Sequence, residues 1–252
     1  MQSKKIKRKL NKKALLVFIL IIYLIIIIIY YFFTLPVKRI IISGNNLVSD
    51  AEIIDVSGLN DYPSLFKVSK KNIEKKINNI SYIDSVSVNK SINGTIEINV
   101  TEYKILFYNM LNKSIVLSSK EEITNDSLLG VPTLINYVPS DIYNKLIDKV
   151  NDIDSDIISL ISEIEYSPDI KDDVTINDSR FILKMNDGNH VYIDLVNFEN
   201  LNNYKVIYSN LESKGIIHLD SVYSGNNQGT IVFTPFDAIN KEEVGDGNEL
   251  SQ

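Results

Sequence analysis

The chain has no cysteine, so no disulfide braces it and no thiolate is available as nucleophile or metal ligand. It has only two histidines, His190 and His218. Both fall in runs that read as strands, without the HxxxH or HxxE spacing a metal site needs. Also missing are a Gly-x-Ser-x-Gly elbow, a phosphate loop and a Ser-x-x-Lys nucleophile. Acids are plentiful, but "KEE", "KDD" and "IDSD" lie in polar runs that read as solvated loops. "MNDG", residues 185–188, shares a fragment with a calcium loop yet lacks the other ligands and the terminal Glu, and reads as a hairpin turn. No catalytic, cofactor-binding or metal-binding residue is assigned. The chain reads as non-enzymatic.

Charge of one sign is missing locally. Residues 1–13 carry Lys4, Lys5, Lys7, Arg8, Lys9, Lys12 and Lys13 and no acid, and residues 14–33, "ALLVFILIIYLIIIIIYYFF", carry no charge at all. Twenty residues at about 1.5 Å each span about 30 Å, the hydrocarbon thickness of a bilayer. Tyr30 and Tyr31 close the run as an interfacial belt, and the preceding cations predict a cytoplasmic N-terminus. A signal peptide would have a shorter apolar core and an Ala-x-Ala-like exit, whereas the exit here is "YYFFTLPVKR". A buried core helix would not be isoleucine-rich all round. The segment reads as a retained transmembrane anchor, with the bulk of the chain extracellular. With the seven tail cations set aside, 19 cations stand against 32 acids. That balance gives the exported part no reason to bind nucleic acid. Triplets such as "NGT" and "NVT" are what an Asn- and Ser-rich chain yields by chance.

Residues 37–45, "VKRIIISGN", form an expected strand ended by Gly44-Asn45. A helix should follow with Ser49 as N-cap, Glu52 completing a capping box, Val48 and Ile53 as its hydrophobic staple and Gly58 as its stop. A second helix starts at Ser69 and aligns Ile73, Ile77 and Ile80. Val86 and Val88, the Asn93-Gly94 turn, and Ile96, Ile98 and Val100 make a hairpin. The order is β-α-α-β-β. With Gly44-Asn45, Leu65-Phe66, Tyr82-Ile83 and the closing Glu102, this segment resembles a POTRA domain of the type found in FtsQ/DivIB cell-division proteins. It departs from the family pattern by having Tyr82-Ile83 for Trp-Val and Asn93-Gly94-Thr95-Ile96 for Pro-x-Thr-Leu.

The rest is mostly strand. "KILFYN" and "SIVLSS" pair around a polar turn. "PSDIYNKLIDKVNDI" is an amphipathic helix capped by Ser140, with Ile142, Leu146, Val150 and Ile153 on one face, and "SDIISLIS" continues it after a break near Asp154. "RFILKMNDGNHVYIDL" is a hairpin with Asn186-Asp187-Gly188 at its tip. A helix follows with Asn197 as cap and Leu201, Tyr204, Tyr208 and Leu211 on one face. The chain closes on a hairpin of "SVY" and "GTIVFTPF", with only an acidic segment after it. "LISEIEYSPD", the "MNDG" turn, the helix ending near "SNL" and "KGIIHLD" sharpen the resemblance to the Gram-positive DivIB branch, over roughly residues 4–236.

The expected architecture is therefore α+β. It comprises a basic tail (1–13), a transmembrane helix (14–33), a POTRA domain (35–103), a larger, mostly antiparallel β-domain with flanking helices (104–236) and a disordered acidic tail (237–252). The resemblance implies a division-septum scaffold that binds FtsL and DivIC (FtsB-like) and helps regulate a septal penicillin-binding transpeptidase. A membrane-anchored extracytoplasmic sensor is the alternative, weakened by a tail of thirteen residues too short to signal. A secretion or barrel-assembly POTRA protein would need repeated POTRA units or a barrel. The final strand ends the domain with an apolar edge, which invites strand addition. By resemblance, Tyr223, Ser224 and Gly225 match a contact set for DivIC. Phe233 takes the place of an aromatic that fills a pocket, and Lys205 offers a charge to an acidic partner segment. Backbone bonds along Thr230, Ile231, Val232 and Phe233 would set register. In the POTRA segment the expected open edge is the strand bearing Asp84, Val86, Val88 and Lys90.

Overall fold

An uncharged run of this length must satisfy its backbone internally to enter lipid, and a helix does so. In the computed structural model, which describes residues 11–125, 130–220 and 231–238, it forms α1 (Lys12–Thr34), 23 residues with none buried. This helix is long and apolar enough to cross a membrane. Asn11 caps it, its side chain accepting from Lys13 N at 3.1 Å. The chain divides into two compact units, Met1–Glu102 and Tyr103–Gln252.

In the first unit α1 is followed by β1 (Arg39–Ser43), α2 (Asp50–Ser57), α3 (Lys70–Ile77), β2 (Ile83–Lys90) and β3 (Thr95–Glu102). The order is the expected β-α-α-β-β. The sheet runs β1-β3-β2, with β1 parallel and β2 antiparallel to the central β3. Ser49 caps α2 by accepting from Glu52 N at 3.2 Å, and the staple pair Val48 and Ile53 is buried. Ser69 occupies the N-cap of α3 but makes no side-chain cap bond. Ile73 and Ile77 bury against Val88, Ile96, Ile98 and Val100, with Ile80 and Val86 packed at the margin. Gly44 has φ +86°, and a Cβ there would stand 2.0 Å from the Val100 carbonyl oxygen. Only glycine fits that turn. The Glu102 carboxylate then accepts from the backbone N–H of Asn46, Leu47 and Val48 at 2.9–3.1 Å. The last residue of β3 thereby fixes the entry into α2.

The second unit contains β4 (Ile105–Asn109), β5 (Ser114–Leu117), β6 (Glu122–Thr124), β7 (Thr133–Leu134), α4 (Ser140–Asn151), α5 (Ser155–Ile158) and β8 (Ile161–Tyr166). It continues with β9 (Asp169–Lys171), β10 (Val174–Asn177), β11 (Arg180–Met185), β12 (His190–Asp194), a 3-10 turn (Phe198–Asn203), α6 (Tyr204–Tyr208), β13 (Gly215–His218) and β14 (Val232–Pro235). Nine strands form one sheet in the order β14-β13-β12-β11-β8-β7-β4-β5-β6. Most neighbours are antiparallel, while β12–β13, β4–β7 and β7–β8 are parallel. Leu146, Ile147, Val150 and Ile153 from the α4 region bury against Phe107, Phe181, Leu183 and Val191 from the sheet. Each such side chain contributes roughly 1.5–3 kcal/mol on burial.

Three local expectations are corrected. Pro139, not Ser140, stands at the N-cap of α4, and Ser140 is its first helical residue. "SDIISLIS" is a single helical turn that gives way to strand at Ile161, because β7 and β11 flank that segment and pairing outweighs local propensity. The helix expected after Asn197 is a 3-10 turn followed by the short α6, and Leu211 lies beyond it. Asn197 stands at the N-cap of that 3-10 turn, as expected, but makes no side-chain cap bond, its N and Nδ2 both donating to Asp194 Oδ1. β14 pairs with β13, and the other strand of the expected closing hairpin, 221–223, lies outside the described residues.

Candidate partner-binding edges

The nine-stranded sheet has two outer strands, and they are finished differently. At β6 the Glu122 carboxylate accepts from Tyr143 Oη at 2.6 Å, Ser114 Oγ at 2.7 Å and Asn112 Nδ2 at 3.2 Å. Burial pushes that carboxyl up, but the three hydrogen bonds outweigh it and hold its pKa below the ordinary value. Side chains thus lock β6 down. At the other end no described strand lies beyond β14, whose register is Ile216↔Thr234, Ile217↔Phe233 and His218↔Val232.

Alternation of antiparallel bonding shows which groups of β14 point away from β13. Phe236 N donates to Lys214 O at 3.1 Å, one pair beyond Gly215↔Pro235. Every second pair is hydrogen-bonded, so Thr234 and Val232 face β13, and the N–H and C=O of Phe233 point outward. Pro235 falls on the same outward phase, where its missing N–H costs the ladder nothing. Ile231 and Val232 are 42% and 48% exposed. The Phe233 side chain is partly buried against the core of this unit. The outward offer of β14 is therefore backbone and aliphatic surface, while its aromatic ring is already engaged within the chain.

Two buried groups place this edge. Gly215 lets the strands meet, since a Cβ there would lie 2.2 Å from Thr234 O and 2.8 Å from the Phe233 ring. The Gly215 N–H points the other way and donates to Asn189 Oδ1 at 3.0 Å. Asn189 Nδ2 in turn donates to Asp187 Oδ2, which also accepts from Tyr204 Oη at 2.7 Å. The "MNDG" turn is thus a structural node that positions β13, and through it β14. Nothing in the sequence singles out Asn189, because its role exists only once residues 26 positions apart are adjacent. His190 packs edge-on against Phe236 at 5.2 Å. Partial burial, reinforced by Lys184, lowers its pKa.

Of the residues expected at this site, the structure places Ile231, Val232 and Phe233 together, whereas Tyr223, Ser224, Gly225 and Thr230 lie outside the described residues. Lys205, on α6, pairs with Asp156, an exposed ion pair that lowers the pKa of Asp156. Such a surface pair exchanges readily for another acid. In the first unit β2 is an outer strand, with Asp84 exposed at a bulge. Its edge is not bare. Val88 N donates to Glu74 Oε1 at 3.1 Å, and Lys90 Nζ bonds Val68 O. Val88 is buried and Val86 partly so, which leaves Asp84 as the accessible member of that set. The exposed side of β1, the other outer strand, includes Ile41.

Comparison with known proteins agrees with both units. Residues 35–103 match the family model "POTRA domain, FtsQ-type". Cell division protein DivIB of Bacillus subtilis (strain 168) is 31% identical over 196 residues, 73% of this chain and 71% of that protein. DivIB of Geobacillus kaustophilus (strain HTA426) is 28% identical over 195 residues, 73% of this chain and 72% of that one. A solved structure of the major extracytoplasmic domain of the trans isomer of DivIB from Geobacillus stearothermophilus covers 44% of this chain and 99% of its own. It does so at 19% identity and a TM-score of 0.35, too loose for a position-by-position argument.

Proposed function

The chain belongs to the DivIB family of cell-division proteins, and from that membership we propose that it is a non-enzymatic scaffold of the division machinery. It is held in the membrane by α1, with a cytoplasmic N-terminus and with the rest of the first unit and the second unit outside. There it binds FtsL and DivIC at the septum and helps regulate the septal penicillin-binding transpeptidase. The observation that carries this reading is the outer edge of β14, where the N–H and C=O of Phe233 point outward with no strand beside them among the described residues, next to exposed aliphatic side chains. An extended segment of DivIC adds there as a further strand, with main-chain bonds giving affinity and Ile231 and Val232 giving selectivity. Lys205 exchanges Asp156 for an acidic residue of that segment. Recruitment then brings partners of one complex to one membrane-anchored platform, and no bond is made or broken by this chain.

Ile231→Pro tests the mode of binding. By phase, the N–H it removes faces outward, so the β13 ladder stays intact. Losing one interstrand bond of about 1 kcal/mol weakens DivIC binding roughly fivefold. Unchanged affinity of the full chain in nanodiscs would exclude strand addition at β14. A fluorescent fusion tests the cellular role: it should gather at mid-cell before constriction, and uniform membrane fluorescence through the cell cycle would contradict the scaffold.

A further inference from the structure

The last turn of α1 is continuous with the β-α-α-β-β part of the first unit. The Phe66 ring lies 4.1 Å from Phe32 and 6.0 Å from Phe33, centroid to centroid. Leu65 N donates to Leu35 O at 2.8 Å, Ser64 Oγ donates to Phe33 O, and Pro36 bridges Ser64. The loop around Tyr62–Phe66 is thereby held at the exit of the helix. The β2–β3 turn is held at the same end, since Lys38 N donates to Gly94 O at 2.8 Å and Lys90 Nζ bonds Val68 O.

What this end exposes fits a membrane surface. Tyr62 is 53% exposed and Ile92, at the tip of the turn, 84%. Lys38, Lys67 and Lys70 are exposed beside them. Lys70 lies close enough to Lys90 to lower its pKa further, after the larger effect of burial. Asp61 is the one acid in residues 60–70 and 90–94. A 23-residue helix is about 34 Å long, slightly more than the hydrocarbon core, so its closing phenylalanines fall at the interface. Aromatic and aliphatic tips ringed by lysines suit the boundary between acyl chains and anionic headgroups.

We propose that this end of the first unit rests on the leaflet where α1 ends, with Tyr62 and Ile92 at the acyl boundary and Lys38, Lys67 and Lys70 on anionic headgroups. The unit is then fixed in tilt against the bilayer and does not swing on a tether. This does not depend on which partners the second unit binds.

The absence of cysteine makes the test direct, because one introduced thiol gives one label. The full chain carrying Tyr62→Cys, Ile92→Cys or Ser81→Cys is labelled with an environment-sensitive dye and placed in nanodiscs containing anionic lipid and headgroup-spin-labelled quencher. Ser81 is exposed and adjoins the opposite end of β3, roughly 23 Å away along the strand. Emission at 62 and 92 should be quenched roughly twofold or more relative to 81. Equal quenching at all three sites overturns the proposal. Reversing Lys38, Lys67 and Lys70 to Glu should bring sites 62 and 92 toward the level of 81, and unchanged quenching would refute the role given to the cations.

Discussion

Replacing Gly215 by Ala should detach or displace β14 while leaving the rest of the sheet standing. The added methyl group would stand 2.2 Å from the Thr234 carbonyl oxygen and 2.8 Å from the Phe233 ring. A ring can rotate a little. A carbonyl inside a ladder moves only with its strand, and the contact needs about 1 Å more room. Overpacking of this kind costs about 1–3 kcal/mol. The upper limit is release of β14, which forfeits four or five interstrand bonds at about 1 kcal/mol each and the partial burial of Phe233. We expect about 2–3 kcal/mol, or roughly 5–10 °C in Tm for a domain of this size. Hydrogen exchange locates the effect: the Val232 and Thr234 amides should lose protection, while β11 and β12 keep theirs. An unchanged Tm with unchanged exchange at 232 and 234 would refute the packing argument.

Other perturbations probe the support behind that strand. Asn189→Ala leaves the Gly215 N–H without its acceptor in a buried setting and should cost about 1–3 kcal/mol by denaturant titration. Phe233→Ala removes a half-buried ring and should lower stability by about 1–3 kcal/mol, so its binding defect must be measured with fold content monitored by circular dichroism. The pKa of His190 is lowered in the fold, so the unfolded chain takes up the proton first. Its contribution is complete above the ordinary histidine value near 6.5 and is lost as pH falls from there toward the lowered folded value. Tm measured between pH 7.5 and 5 should fall more for the parent chain than for His190→Gln.

Local signals made much of the first unit legible. The cap at Ser49, the staple of Val48 and Ile53, and the Asn93-Gly94 turn are short-range devices, and each appears where its residues stand. The 20-residue apolar run likewise needs no tertiary context to be a helix. The second unit is less legible, because its strand pairings decide what local periodicity leaves open. "SDIISLIS" looks helical until β7 and β11 claim Ile161 onward. The β9–β10 hairpin turns through Asp172 and Asp173, both at positive φ, without the glycine that would advertise it. For the site, the apolar run at 231–233 was readable as a closing strand. That Phe233 turns inward and that Asn189 holds Gly215 depend on contacts across the fold. The covering of β2 by Glu74 is of the same kind.

The central claim is that β14 receives a partner strand on its outward side, and residue-resolved amide exchange tests it most directly. In the free protein the Val232 and Thr234 amides should be protected by β13 and the Phe233 amide should exchange freely. With saturating DivIC extracellular segment, Phe233 should become protected by about tenfold or more, as a bonded strand amide is. Binding that leaves the Phe233 amide exchanging as before would contradict the account.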